Sequence, residues 1–258
     1  MQFLTTYIVF HKQVFPFNTK DFTQQELQEY FTWVGVNEKI PKQLPDIFQS
    51  NNIIYEYKLK NHCPLYQMLN FYQNSVFFHL YKNPELVKSR YIGFSQYDMS
   101  INAELFRDCI NSLKSSEQDK VVGFFMYPYQ ALVNLFEEDK WEQIFFEPYR
   151  KYYGTRVFVK DIHHLPLCLL HSFILPSWFF FHMMPFVEKI LPLILKELNW
   201  NTLHLAGTLE RVFALCINCA IFEGKINVLL QSNAMKHEES QHMEDTLRGI
   251  KAGKDVSQ

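Results

Sequence analysis

The chain predicts a single α/β domain with a mostly parallel central sheet and helices on both faces. Three observations carry that expectation. Strand-like runs rich in β-branched and aromatic residues alternate with helix-like runs from one end to the other, the order that yields a parallel sheet covered on both sides. The 258 residues are 48% hydrophobic, 17% aromatic and 20% charged, enough to fill a sizeable core and incompatible with wholesale disorder. No internal repeat or linker divides them, so residues 1–230 read as one domain and the polar, mixed-charge residues 231–258 as a tail.

TTYIVF (5–10) is a buried strand by composition. Thr23 with Glu26 three residues later is a capping box, opening a helix expected to run through about Trp33. Pro41 and Pro45 mark an irregular stretch, and NIIYEY (52–57) is a short second strand. In 64–83, Leu65, Met68, Leu69, Tyr72, Val76 and Leu80 recur near helical spacing and stop before Pro84. RYIGFSQYD (90–98) is a strand, followed by a helix over about 102–115 and a strand VVGFFMYP (121–128). A helix follows over 130–153, broken near Pro148, and HSFIL (171–175) is a further strand. A long helix is expected from Ser177 to Leu198, with Pro185 and Pro192 inside it. LERVFALCINCAIFEG (209–224) is a last apolar helix closed by Gly224, and INVLL (226–230) the closing strand.

Composition also excludes functions. A net charge of −2 without a Lys/Arg block argues against nucleic acid as the partner. Only 8 glycines and no Gly-rich phosphate motif leave no P-loop or dinucleotide fingerprint. Five cysteines in apolar surroundings suit a reducing, cytoplasmic setting, and Cys216-x-x-Cys219 lacks a second pair to complete a zinc site. Residues 165–187 contain no charged side chain and are long enough to span a bilayer. Pro166, Pro176 and Pro185 with His171 and His182 favour instead a buried strand followed by a core-packed helix.

In such sheets ligands sit beyond the carboxyl ends of the strands, where the loops meet helix N-termini. Three polar groups fall there and are expected to share a crevice: His11–Lys12, Gln96–Tyr97–Asp98 and Tyr127–Tyr129. Asp98 reads equally as a divalent-cation ligand or as part of the cap of the next helix, beside Ser100 and Asn102. His11 and Lys12 read as a nucleotide contact or as an ordinary strand end. Thr208 is a candidate cap, placing Glu210 and Arg211 in the first turn of the last helix. The helix dipole is reason enough for Glu210, while a carboxylate facing a crevice is a candidate base with Arg211 beside it and His204 a metal ligand or second base. Asp161, His163 and His164 form a weak metal-like pattern, and His237 and His242 a weaker one. No nucleophile elbow occurs.

Taken together, IVFHK (8–12), the segment 52–83 leading into YIGFSQYDMS (91–100), and HLAGTLERVFALCI (204–217) resemble one family. It is the group of glycosyltransferase-like domains found among capsular-polysaccharide genes and in large DNA viruses. The resemblance covers roughly residues 5 to 230. It implies a glycosyltransferase A-type fold, a nucleotide-sugar donor, a glycan acceptor and a divalent metal, Mn²⁺ or Mg²⁺. By resemblance, His11 and Lys12 lie at the nucleotide, Gln96, Tyr97 and Asp98 take the place of the metal-binding acidic motif, and Glu210 with Arg211 forms the catalytic end. The chain departs from the usual pattern in carrying one aspartate where two are common.

Overall fold

The computed structural model describes residues 2–12, 14, 19–42 and 52–238. The expectations for Pro45, His242 and residues 239–258 of the tail lie outside them. The strands are β1 (Gln2–Phe10), β2 (Phe31–Gly35), β3 (Ile53–Tyr55), β4 (Ser89–Gln96), β5 (Met99–Ile101), β6 (Lys120–Gly123), β7 (Met126–Tyr127), β8 (Leu167–Cys168), β9 (Phe173–Pro176), β10 (Asn227–Leu230) and β11 (Met235–His237). The helices are α1 (Gln24–Tyr30), α2 (Leu65–Met68), α3 (Asn74–Lys82), α4 (Ala103–Lys114), α5 (Gln130–Val133), α6 (Glu138–Trp141), α7 (Glu147–Tyr153), α8 (Ser177–Glu197) and α9 (Leu205–Phe222).

Seven strands form the central sheet in the order β10-β6-β9-β4-β1-β2-β3. All neighbours pair in parallel except β9, which runs antiparallel between β4 and β6. The mostly parallel α/β sandwich expected from the sequence is therefore the fold. One apolar cluster lies on each face: Tyr7, Val9, Phe77, Phe94 and the apolar sides of α8 and α9 on one, Leu4, Ile8, Tyr91 and Phe106 on the other. Period-2 alternation along β1 and β4 puts successive side chains into opposite clusters, which is why both strands read as continuous apolar runs. Gly93 lets β4 approach β1 closely, since a Cβ there would stand 2.7 Å from Thr6 Oγ1.

The Thr23–Glu26 capping box forms with both reciprocal bonds. The helix it opens ends at Tyr30, however, and Phe31–Gly35 is strand β2 rather than the helix's last turn. The side-chain period explains the correction: Phe31 and Trp33 enter one cluster while Val34 and Val36 enter the other. The helical pattern of 64–83 is likewise two helices, α2 and α3. They are separated by Asn70 (φ 55°) and Tyr72 (φ 49°), whose left-handed backbone ends a helix.

Residues 165–187 fold as β8, β9 and the first half of α8. Two stretches, Ser177–Glu197 and Thr202–Phe222, are long and apolar enough by length and composition to cross a membrane, and half and two-thirds of their apolar windows are buried in the fold. Beyond residue 230, β11 pairs antiparallel with β5, His237 against Met99. That pairing brings the start of the polar C-terminal segment back to the carboxyl end of β4.

Candidate functional site

Parallel β1 and β4 both end at one edge of the sheet, where the chain must leave the ladder and its polar groups lose their strand partners. His11, Gln96, Tyr97 and Asp98 gather there with Gln73 from the α2–α3 link around a small cavity of about 120 Å³. Of the three predicted polar groups, His11 of the first and all of the second thus share a crevice, whose lining does not include Lys12. Lys12 is exposed at the next position. Tyr127–Tyr129 take other partners, Tyr127 in the β7–β8 pair and Tyr129 hydrogen-bonded to Glu138.

Asp98 does not cap a helix. Asn102 does so, accepting the Leu105 N–H at 3.0 Å. Asp98 instead sits in the turn between β4 and β5, only 7% exposed, with Oδ2 2.9 Å from His237 Nε2 and Oδ1 buried without a hydrogen-bond partner among the described residues. A buried carboxylate oxygen left without a donor is costly unless a cation or ligand donor meets it. Burial holds His11 below the usual imidazole range against the opposing pull of Glu56 and Asp98. His237, set aside in the sequence as part of a tail, is the residue that reaches Asp98; pairing of β11 with β5 decides this, and no local pattern announces it. His204 is exposed at the start of α9, where its carbonyl accepts the Thr208 hydroxyl at 2.8 Å.

The helix ladder begins at Leu205, so Thr208 is an interior residue and Glu210 and Arg211 occupy the second turn, not the first. Glu210 Oε1 accepts the Leu170 N–H, and Gln96 Nε2 donates to the Leu170 carbonyl at 2.8 Å. One peptide corner therefore joins the end of β4 to α9. Leu170 (φ 59°) and His171 (φ 46°) are both left-handed, a backbone that bulky residues adopt only when their surroundings impose it. His171 is buried between Phe77 and Phe213, with Nδ1 3.4 Å from Gln73 Nε2 and 3.9 Å from Glu210 Oε1. Burial raises the proton affinity of Glu210 and outweighs the Leu170 N–H and the Arg211 charge. Arg211 is committed to carbonyls, Nε to Ala131 at 2.8 Å and Nη1 to Gly207 at 2.9 Å.

Burial pushes His171 down to about 3 from 6.5. The unfolded chain then takes up this proton first as pH falls, so the stability due to neutral His171 is complete above about pH 6.5 and is lost towards pH 3. The slope reaches about 1.4 kcal/mol per pH unit. Acid unfolding curves of the wild type should therefore fall more steeply than those of His171→Asn, which keeps a residue tolerant of the left-handed backbone. Parallel curves would show that the imidazole is protonated in the folded state.

Beside this crevice, at the ends of β2 and β3, a larger pocket of about 470 Å³ is floored by Glu56 and lined by Asn37, Tyr57, His62 and Met68. Glu56 is fully buried, with Oε2 2.6 Å from Ser75 Oγ and 3.1 Å from His79 Nδ1. The Cys63 N–H donates to His79 Nε2 at 3.0 Å, which leaves the ring proton on Nδ1, facing Glu56. Sequence reading passed over Glu56 because nothing in NIIYEY marks a carboxylate as interior.

Among the described residues no group of three or more His, Cys, Asp or Glu side chains could hold a metal by itself. Asp161 is turned back to the Phe158 N–H and His163 to Glu138. Cys216 and Cys219 are buried thiols of α9, pushed up by burial. Asp98 fits a different arrangement, a cation held by one carboxylate with a ligand's phosphates and water completing the shell.

No protein-family model matches the sequence, and no characterised protein matches it by sequence. Among solved structures, the apo WbbM bifunctional glycosyltransferase aligns at a TM-score of 0.52 and 14% identity, covering 88% of this chain and 44% of that one. Glucosyl-3-phosphoglycerate synthase from Mycobacterium tuberculosis, in complex with Mg²⁺ and uridine diphosphate, aligns at 0.42 and 7% identity, over 69% and 57% of the two chains. Its complex with Mn²⁺, uridine diphosphate and glucosyl-3-phosphoglycerate aligns at 0.43 and 8% identity, over 99% and 82%. The chain spans less than half the length of the WbbM chain. The likeness is one of fold, the glycosyltransferase A-type sandwich.

Proposed function

We propose that this chain is a glycosyltransferase that binds a nucleotide-sugar across the carboxyl edge of β1 and β4 and transfers the sugar to a hydroxyl of a glycan acceptor. The observation that carries the reading is Asp98: a buried carboxylate at the end of a central strand, one oxygen fixed by His237 and the other without a partner among the described residues. A divalent cation bound there, Mn²⁺ or Mg²⁺, supplies charge neutralisation to a departing diphosphate. His237 orients the carboxylate, as a partner to a metal ligand does. His11, Gln96 and Tyr97 contribute polar groups around the same cavity, and the exposed Lys12 offers positive charge to phosphate. Glu210 clamps the Leu170 corner through Oε1, leaving Oε2 to accept a proton from the acceptor hydroxyl. Arg211 fixes α9 against α5 through the Ala131 carbonyl, which supports Glu210 rather than reaching substrate itself.

A second reading is favoured by those same commitments. With Glu210 bonded to backbone and a single carboxylate at the cation position, the chain would be a non-catalytic nucleotide-sugar or glycan-binding scaffold. A panel of UDP-, GDP- and dTDP-sugars with Mn²⁺ separates the readings. Ligand at ~100 times its dissociation constant adds ~2.7 kcal/mol, so a matched donor should raise the melting temperature by roughly 5–10 °C. No shift with any donor would overturn the transferase reading and leave the glycan-binding scaffold. Donor binding with hydrolysis or transfer that disappears in Glu210→Gln, whose amide oxygen still accepts the Leu170 N–H, supports catalysis. Binding without turnover supports the scaffold.

A further inference from the structure

Near the candidate site, five large apolar side chains stand in water where two chain segments meet. Leu65, Met68 and Tyr72 belong to α2 and its exit; Trp200 and Leu203 belong to the α8–α9 link, and all five are between 47% and 73% exposed. Asn70 Nδ2 donates to Thr202 Oγ1 at 2.8 Å and Asn74 Nδ2 to the Ala206 carbonyl at 3.4 Å, so the two segments are tied side by side.

Both segments leave their helices through the same backbone device. After α2, Asn70 is left-handed and Phe71 N–H returns to the Tyr66 carbonyl; after α8, Asn199 is left-handed and Trp200 N–H returns to the Leu195 carbonyl. Such an ending ordinarily folds the apolar residue back onto the helix. Phe71 does so, its ring 4.8 Å from Tyr66. Trp200 does not: a second left-handed residue (φ 59°) turns its indole outward, and Tyr72 (φ 49°) is turned outward in the same way. Two residues with left-handed backbone thus hold exposed aromatic side chains.

Around this surface the exposed charges are mixed on the Met68 side, where Glu38 and Lys39 line one pocket with it, and basic elsewhere. Lys60 and Lys196 are exposed and make no ion pair among the described residues. The nearby acids of α8 are neutralised, Glu188 by Lys82 at 2.6 Å and Glu197 by Lys140 at 2.9 Å. Exposed Trp, Leu and Met flanked by lysine is the composition that settles into the headgroup layer of an anionic bilayer. Met68 also lines the pocket floored by Glu56, and Tyr72 precedes Gln73, which lines the cavity at Asp98. One side of the surface therefore borders the Glu56 pocket.

We propose that Leu65, Met68, Tyr72, Trp200 and Leu203, with Lys60 and Lys196, form a docking surface for an anionic lipid bilayer, which the protein lies on rather than spans, with the Glu56 pocket opening beside the membrane. The inference goes beyond the sugar-transfer reading and is tested without any sugar. The full chain is mixed with vesicles of phosphatidylcholine alone or containing phosphatidylglycerol, and binding is read by co-sedimentation and tryptophan fluorescence. Anionic vesicles should sediment the protein and blue-shift its emission. Lys60→Gln and Lys196→Gln should each weaken binding about fivefold, and Trp200→Ser with Leu203→Ser should abolish it, with unchanged circular dichroism. The proposal is overturned if the wild type ignores anionic vesicles, or if these substitutions leave binding intact. It is also overturned if light scattering shows a dimer that Trp200→Ser and Leu203→Ser dissociate, since the surface would then be covered by a second copy.

Discussion

Asp98→Asn should remove the cation-dependent part of donor binding, on the order of 10²-fold or more, the scale seen when one preorganised charge partner is deleted from a site. The free protein should meanwhile melt within a few degrees of the wild type. Oδ1 has no partner to lose among the described residues, and an asparagine oxygen or amide can still meet His237 across the 2.9 Å contact. Titration calorimetry of Mn²⁺ with nucleoside diphosphate reads the effect directly. Equal metal dependence in wild type and variant would remove Asp98 from the cation site. A collapse of the melting temperature would instead identify the carboxylate as part of the β5–β11 closure.

Glu56→Ala carries the second large effect, on stability. Glu56 accepts from Ser75 Oγ and His79 Nδ1 inside a fully buried cluster, and its removal leaves the His79 N–H with no acceptor. Breaking one partner of such a buried network costs about 3–5 kcal/mol, which for a domain of this size lowers the melting temperature by roughly 10 °C. Glu56→Gln, which keeps one acceptor oxygen, should recover part of that loss. A Glu56→Ala protein as stable as the wild type would show that water replaces the carboxylate from the adjoining 470 Å³ pocket.

These two carboxylates also show where sequence reading works and where it stops. Asp98 was legible because it ends an apolar strand, a position whose geometry follows from the strand itself. Glu56 was not, because three residues of strand followed by a tight turn leave its direction to the packing of α3, which supplies Ser75 and His79. Glu210 and Arg211 were legible as an adjacent pair on the last helix, but their partners were not. The Leu170 corner and the Ala131 carbonyl lie 40 and 80 residues away along the chain.

The sequence by itself determined the alternation of strands and helices, the Thr23–Glu26 cap, the two-sided burial of β1 and β4, and the edge at which polar groups collect. Each rests on side-chain period or on a bond between residues a few positions apart. Only the tertiary structure decided that Phe31–Gly35 joins the sheet, that β9 runs against its neighbours, that His237 returns to Asp98, and that Trp200 faces water. Those outcomes depend on which distant surface each segment meets. The free energy of a strand pairing or a buried contact belongs to both partners, and neither segment's letters carry it alone.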